Sequence, residues 1–354
     1  MQKIKKKSLF HALGMGLIHS IFSIFVIFSS IWLCCALWFQ APFGLFSRIM
    51  IGLWILFAFS ILGIYIKQNL FSRHKDILIY IIAFLCSLLW YFNIPAKQDR
   101  EWNPEVDRLF TYKKQGNIVT IHNIRNFNWH TENKYDVHWD TRSYNLEHIT
   151  GVNIITSYWM GPQIAHTLVS FDFSDQKPLV FSIEIRKEKT ESFSAIGGFF
   201  RKYELSLIAA DEKDLIYTRS NIRNEQVYFF PVKMPKTEMK ALFAEYLEKT
   251  DELAQQAKWY NTLSSNCTTL VFDMVQAISP HELPLDYRLL ASGYLPNYLY
   301  DLGALNKQWT IKQWYQRAHV NPRTDQFKHF EYQSSENYSK VIREGLTENI
   351  HKGL

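Results

Sequence analysis

The sequence predicts an α+β extramembrane domain carried behind three transmembrane helices. Three observations lead there. Nearly all long apolar runs fall within residues 1–97, short alternating runs begin after Pro104, and helical periodicity takes over from about Thr237. The charge divides in the same way. Residues 1–97 hold nine Lys or Arg against one acid, Asp76, whereas the other 257 residues hold 30 basic and 32 acidic side chains. The net charge of +6 therefore sits beside apolar helices and not on a folded basic face, which argues against nucleic acid as a partner. Aromatic residues at 16% and the lack of a repeat period argue against disorder and solenoid architectures. The polar part is long enough to bury a core of its own.

The first element is a span over residues 13–39, with no Asp, Glu, Lys or Arg; about 20 apolar residues suffice to cross a bilayer. Its length exceeds the apolar core of a cleaved signal peptide, so the segment reads as a retained anchor. Residues 49–66 and 77–94 are two further uncharged runs of 18 residues. Basic residues mark the cytoplasmic side, here Lys3 to Lys7 and the loop with Lys67, Arg73 and Lys75. Three spans then place everything after residue 97 outside the cytoplasmic membrane. Trp32, Trp38, Trp54, Trp90 and Tyr91 suit interfacial anchoring, and His19 reads as structural.

Strands are expected at 117–122, 143–146, 152–158, 164–173, 179–186, 204–209, 215–219 and 227–232, from their Ile, Val, Thr, Tyr and Phe content. The turn residues 174–178 make 164–173 and 179–186 a hairpin. A helix follows at 237–258, with Met239, Leu242, Phe243, Tyr246, Leu247, Leu253 and Ala254 at spacings of three and four. An irregular piece, 259–266, leads into a second apolar helix that ends before Pro280. Domains are expected at 1–97, at 98–310 and, as an extension without assigned role, at 311–354.

Three of the four cysteines, Cys34, Cys35 and Cys86, fall within the spans, so Cys267 has no disulfide partner in a compartment where thiols pair. It stands in Ser264-Ser265-Asn266-Cys267-Thr268-Thr269, a capping sequence before an apolar helical run. A first-turn position favours thiolate, although a buried inert cysteine has the same composition. A thiolate nucleophile needs a base. Of the nine histidines after residue 97, most lie in polar segments, while His166 sits in a strand otherwise suited to burial. With the turn centred at Gln176, Glu184 and Arg186 come near His166 on one face. Glu184 is then either the group that orients the imidazole or half of a surface ion pair with Arg186.

His166 on a strand, a polar or acidic residue on the next strand, and Asn266-Cys267 opening a helix resemble the circularly permuted NlpC-type, papain-like hydrolases and acyltransferases. A closer resemblance covers residues 98–310. It rests on Arg100-Glu101-Trp102-Asn103-Pro104, Tyr158-Trp159, Ile164-Ala165-His166-Thr167, Phe181 to Glu188, Phe199 to Leu205, and Tyr260-Asn261 with Asn266 to Thr269. Together these are similar to the Lnb N-terminal periplasmic domain family. The resemblance implies a cysteine-dependent lipoprotein N-acyltransferase at the bacterial inner membrane, with its domain in the periplasm. It implies a phospholipid as acyl donor and a lipoprotein as acceptor. Cys267 is then the nucleophile, His166 the base and Glu184 the third member. The Cys267 N–H with Asn266 or Tyr260 forms the oxyanion site, and Arg186, Tyr203 and Glu204 complete the candidate set. No cofactor or metal is expected. Two alternatives stand beside this: a hydrolase of cell-wall peptides or lipid esters, and a tethered binding module without catalysis.

Overall fold

A computed structural model describes residues 2–67, 72–327 and 335–346. The chain divides into two compact units, Met1–Ala96 with Ile196–Lys202, and Lys97–Ala195 with Tyr203–Leu354.

The first unit contains α1 (Gln2–Gln40), α2 (Phe46–Lys67) and α3 (Arg73–Phe92). Each is long and apolar enough to cross a membrane: Gly16–Gln40 within α1, then all of α2 and all of α3. The third runs from Arg73 and not Ile77, and Asn93 caps it, its N–H donating to the carbonyls of Leu89, Trp90 and Tyr91. Several polar side chains inside this unit pair with one another. Tyr80 Oη meets Ser29 Oγ at 2.8 Å and Ser30 Oγ at 2.9 Å, and His19 Nδ1 meets Tyr65 Oη at 2.8 Å, the structural role expected of His19. Segment 196–202 belongs here too. Gln40 Nε2 donates to the carbonyls of Phe200 and Arg201, and Arg201 Nη1 donates to those of Tyr91, Phe92 and Ile94.

The second unit is α+β. Its strands are β1 (Thr111–Gln115), β2 (Ile118–Arg125), β3 (Asn128–Thr131), β4 (Lys134–Asp136), β5 (Trp139–Asn145), β6 (Ile149–Tyr158), β7 (Ala165–Phe173), β8 (Leu179–Arg186), β9 (Glu204–Ala210) and β10 (Gln226–Val232). The main sheet has the order β1-β2-β9-β8-β7-β6-β10, with β5 on β2; β2 and β9 are parallel and the other pairs antiparallel. The helices are α4 (Glu212–Tyr217), α5 (Lys236–Gln255), α6 (Thr269–Ile278), α7 (Leu295–Asp301), α8 (Ile311–Ala318), α9 (Asn321–Thr324) and α10 (Ser335–Ile342).

Alternation along the strands gives the sheet two apolar faces. Val169, Phe171, Phe181, Ile183 and Leu207 pack with Phe243 and Tyr246 of α5 and Val271 and Met274 of α6. Leu168, Val180 and Ile208 pack on the other side with Leu215, Ile216, Trp314, Tyr338 and Ile342. Burial on both faces explains why β9 is buried at every position.

Two expectations need correction. Residues 215–219 are not a strand: Asp211 accepts the N–H of Lys213 and caps α4, which runs into a π-turn at Thr218–Ile222. The short apolar run is therefore one face of a helix. Residues 311–346 are not an appended extension either. Trp314, Ala318, Val320, Phe327, Tyr338, Val341 and Ile342 are buried in the second core. Arg343 reaches Glu212 at 2.6 Å and Asp172 at 2.5 Å, which ties this segment to α4 and β7. Residues 328–334 and 347–354, and with them His329 and His351, lie outside the described residues.

Candidate active site

The β7–β8 hairpin sets the site. Its register pairs Leu168 with Ser182 and Phe171 with Leu179, so the turn centres on Asp175 and not Gln176. Continued two residues toward the strand ends, that register puts Glu184 across from His166 and carries Arg186 past it. His166 Nε2 lies 2.8 Å from Ser182 Oγ and 3.2 Å from Glu184 Oε1. Ser182 Oγ donates to the same Glu184 oxygen at 2.6 Å, and Arg219 Nη2 donates to it at 2.7 Å. The carboxylate is thus held from three directions.

Residue 166 is also held through the backbone. Ser292 Oγ accepts the N–H of Ala165 at 3.0 Å and donates to its carbonyl at 2.7 Å. The next residue, Gly293, donates its N–H to Gln163, and a Cβ there would stand 2.2 Å from the Pro162 carbonyl oxygen. Only glycine admits that approach.

Cys267 arrives from the other face. Asn261 and Ser265 exchange backbone hydrogen bonds, closing a tight turn in which Asn261 Oδ1 accepts the N–H of Leu263 and Ser264. Asn266 then caps the coming helix, its Oδ1 accepting Thr268 N–H at 2.8 Å and Thr269 N–H at 2.9 Å, while its carbonyl accepts from Leu270. Cys267 lies on this opening turn, just before the regular helix begins at Thr269. Its sulfur accepts the Thr167 N–H at 3.5 Å and lies 3.9 Å from Thr268 Oγ1. Thr268 Oγ1 is in turn 2.9 Å from Thr167 Oγ1, which fastens the helix start to β7.

The thiol and the imidazole act on each other electrostatically, the positive ring lowering the thiol and the thiolate raising the ring. Nε2 faces Ser182 and Glu184, so Nδ1 is the nitrogen left for the sulfur. Burial alone would push the Cys267 thiol up, but the positive His166, the hydrogen bond from it and the Thr167 N–H together hold it below an ordinary thiol. Burial would lower His166. The Glu184 carboxylate and the Cys267 thiolate outweigh that and push it up to about 9. Glu184 resists its own burial penalty through His166 and Arg219 and stays well below the usual carboxylate range. Both shifts favour thiolate with imidazolium over the neutral pair.

The sign of each shift sets a pH window. His166 contributes stability that is complete below its unfolded value near 6.5 and is lost as pH rises through about 9. Cys267 and Glu184 are lowered and contribute above their unfolded values, losing that contribution as pH falls through their folded ones. Alkylation of Cys267 by iodoacetamide is therefore expected to rise less steeply with pH than that of an ordinary thiol, which gains about tenfold per unit well below its pKa. His166→Ala should restore the ordinary slope. A wild-type profile that climbs like free cysteine would contradict the ion pair.

Among the described residues, the Cys267 N–H donates no hydrogen bond, unlike those of Thr268 and Thr269, so it remains available to an oxyanion. Tyr260 is positioned by its backbone N–H on the Tyr203 carbonyl at 3.0 Å. Burial, then the negative charges of Cys267 and Glu184, hold its phenol far above the usual tyrosine value, so it stays a proton-bearing donor near the sulfur.

Four sequence candidates take other roles. Asn266 is a cap, with Oδ1 on the helix N–H groups and Nδ2 on the Thr262 carbonyl. Arg186 donates to the carbonyls of Val106 and Asp107 and to Gln98 Oε1, and stacks over Trp102. Tyr203 Oη donates to the Ser192 carbonyl, and Glu204 accepts the Lys97 N–H and pairs with Arg100. These three brace the edge of the site and do not line it. Sequence reading missed Ser182 and Arg219. Ser182 was legible, being two residues before Glu184 and so on the same face; Arg219 was hidden by the strand reading of its segment.

Residues 135–293, which include both His166 and Cys267, match the family model described as Lnb N-terminal periplasmic domain. No curated protein and no solved structure matches the chain. The polypeptide is a membrane protein in which residues 135–293 match the model of the Lnb N-terminal periplasmic domain family.

Proposed function

We propose that the protein is a membrane-anchored cysteine acyltransferase that takes an acyl chain from a phospholipid and passes it to the amino terminus of a lipoprotein. The single observation behind this reading is the placement of Cys267, its sulfur on the N–H of Thr167, the residue after a His166 that is backed by Ser182, Glu184 and Arg219. The Cys267 thiolate attacks the ester carbonyl, the Cys267 N–H and Tyr260 hydroxyl receive the developing negative charge, and His166 gives its proton to the departing lysolipid oxygen. A thioester on Cys267 remains. The incoming amine attacks it, His166 accepts the amine proton, and the thiolate leaves with the pair restored. Three spans in the same chain tether this chemistry to a bilayer, where ester groups are found.

Purified full-length chain incubated with diacyl phospholipid and a diacylated lipopeptide should give N-acylated lipopeptide and lysophospholipid in equal amounts by mass spectrometry. Free fatty acid with unmodified lipopeptide would replace this reading with that of a hydrolase.

The reading requires the domain outside the cytoplasmic membrane and the amino terminus inside. A reporter fused after Leu354 should be active only outside, and one fused near Ser72 only inside. The opposite pattern would remove lipoproteins as acceptors.

A further inference from the structure

Exposed apolar side chains of the second unit gather on the loops around the Cys267–His166 end of the sheet. Trp159 and Met160 follow β6, Phe193 follows β8, Leu263 precedes Cys267, and Tyr287 and Leu290 precede the Ser292–Gly293 clamp. Their exposure runs from 42% for Trp159 to 69% for Tyr287. Contacts join these loops to one another. Trp159 meets the Phe193 ring edge-on at 5.1 Å, Thr262 Oγ1 donates to the Ala195 carbonyl at 3.3 Å, and Gly293 donates to Gln163. Single exposed apolar residues are ordinary, but several on adjoining loops at one end of a domain mark an interaction surface.

The chain itself points to what covers them. Phe193 is three residues from Ile196, where the loop enters the spanning unit, and three residues reach at most about 11 Å. Segment 196–202 is held at the ends of α1 and α3 by Gln40 and by the carbonyls of Tyr91, Phe92 and Ile94. These are the helix ends on the side from which the chain leaves for the second unit. Phe193, and Trp159 through its ring contact with it, are thus tethered by a short run of chain to the spanning unit, and a Trp, a Tyr and long aliphatic side chains together have the composition of a bilayer interface.

We propose that this apolar rim is a second membrane contact, which inserts into the interfacial layer of the bilayer that holds the three spans and admits a phospholipid acyl chain directly to Cys267. The lipid-delivery half rests on the acyltransferase reading; the insertion half does not. Two measurements on the full-length chain in proteoliposomes of phosphatidylethanolamine and phosphatidylglycerol separate them. In the first, an encoded fluorescent residue at position 193 or 263 should be quenched several-fold more by acyl-brominated lipid than one at Val137, an exposed apolar residue of the β4–β5 connection. Equal quenching at the three positions overturns the rim. In the second, Phe193→Ser combined with Leu263→Ser should slow acyl loading of Cys267 from the bilayer by at least about tenfold while leaving its alkylation by iodoacetamide unchanged. Unchanged loading overturns lipid delivery. Should wild type acquire no acyl group at all, the acyltransferase reading falls with it, and the quenching result alone decides the surface.

Discussion

Cys267→Ala should abolish acyl transfer to the limit of detection, because the covalent intermediate has no other sulfur or oxygen in its place. His166→Ala should leave a slower enzyme, reduced by about 10²–10⁴, the usual contribution of a positioned general base. The two losses differ because a thiol without a base is still a few per cent ionised at neutral pH, and the opening turn of α6 raises that fraction. Neither change removes much core volume, so both variants should fold. Initial rates of lipopeptide acylation by equal amounts of folded protein check this. An alanine variant at 267 with measurable turnover would exclude the thioester route.

The largest expected effect on stability lies elsewhere. Asp214 accepts four hydrogen bonds: Arg125 Nε at 2.9 Å, Arg125 Nη2 at 3.0 Å, Phe127 N–H at 2.9 Å and Trp129 Nε1 at 2.7 Å. Both charged side chains are buried, Arg125 nearly so and Asp214 completely. Asp214→Ala strands the guanidinium and two further donors away from water, and breaking a buried pair in this way costs about 3–5 kcal/mol. That is a large share of the roughly 5–15 kcal/mol that holds a typical domain together. The unfolding midpoint in detergent should fall steeply for Asp214→Ala and less for Arg125→Met with Asp214→Leu, in which neither charge is left alone. A single-variant loss no larger than that of a surface substitution would show that the pair is hydrated.

How far the sequence could be read depended on whether local pattern or register decided the outcome. The three spans were legible from uncharged length alone, and β8 was legible at its observed bounds because the apolar run Leu179 to Phe181 passes into the alternation Ser182 to Arg186. Cys267 and His166 were legible for chemical reasons: a lone thiol in a capping sequence and a polar ring in a burial strand. Glu184 was within reach of the hairpin argument, whereas excluding Arg186 needed the turn centre, which lies at Asp175 and not Gln176 and carries Arg186 past His166. Arg219 needed the fold of its segment, where Asp211 was an available but unread capping signal. Residues 311–354 read as an extension without assigned role, yet Thr310 and Gln313 form a capping box and the apolar residues of α8 to α10 complete a core assembled from distant strands. Packing of that kind leaves little trace in local periodicity.

Intact mass spectrometry of the full-length chain, quenched in acid after exposure to phospholipid vesicles without an acceptor, tests whether Cys267 carries the acyl chain. Wild type should gain the mass of one acyl chain, mapped to the peptide with Cys267 and released by neutral hydroxylamine as a thioester is. Cys267→Ala should gain nothing, and Cys267→Ser should either gain nothing or hold its chain as an oxygen ester that resists the same treatment. The same hydroxylamine-labile adduct on Cys267→Ala, or no adduct on wild type that is turning over substrate, would contradict the assignment of Cys267 as nucleophile.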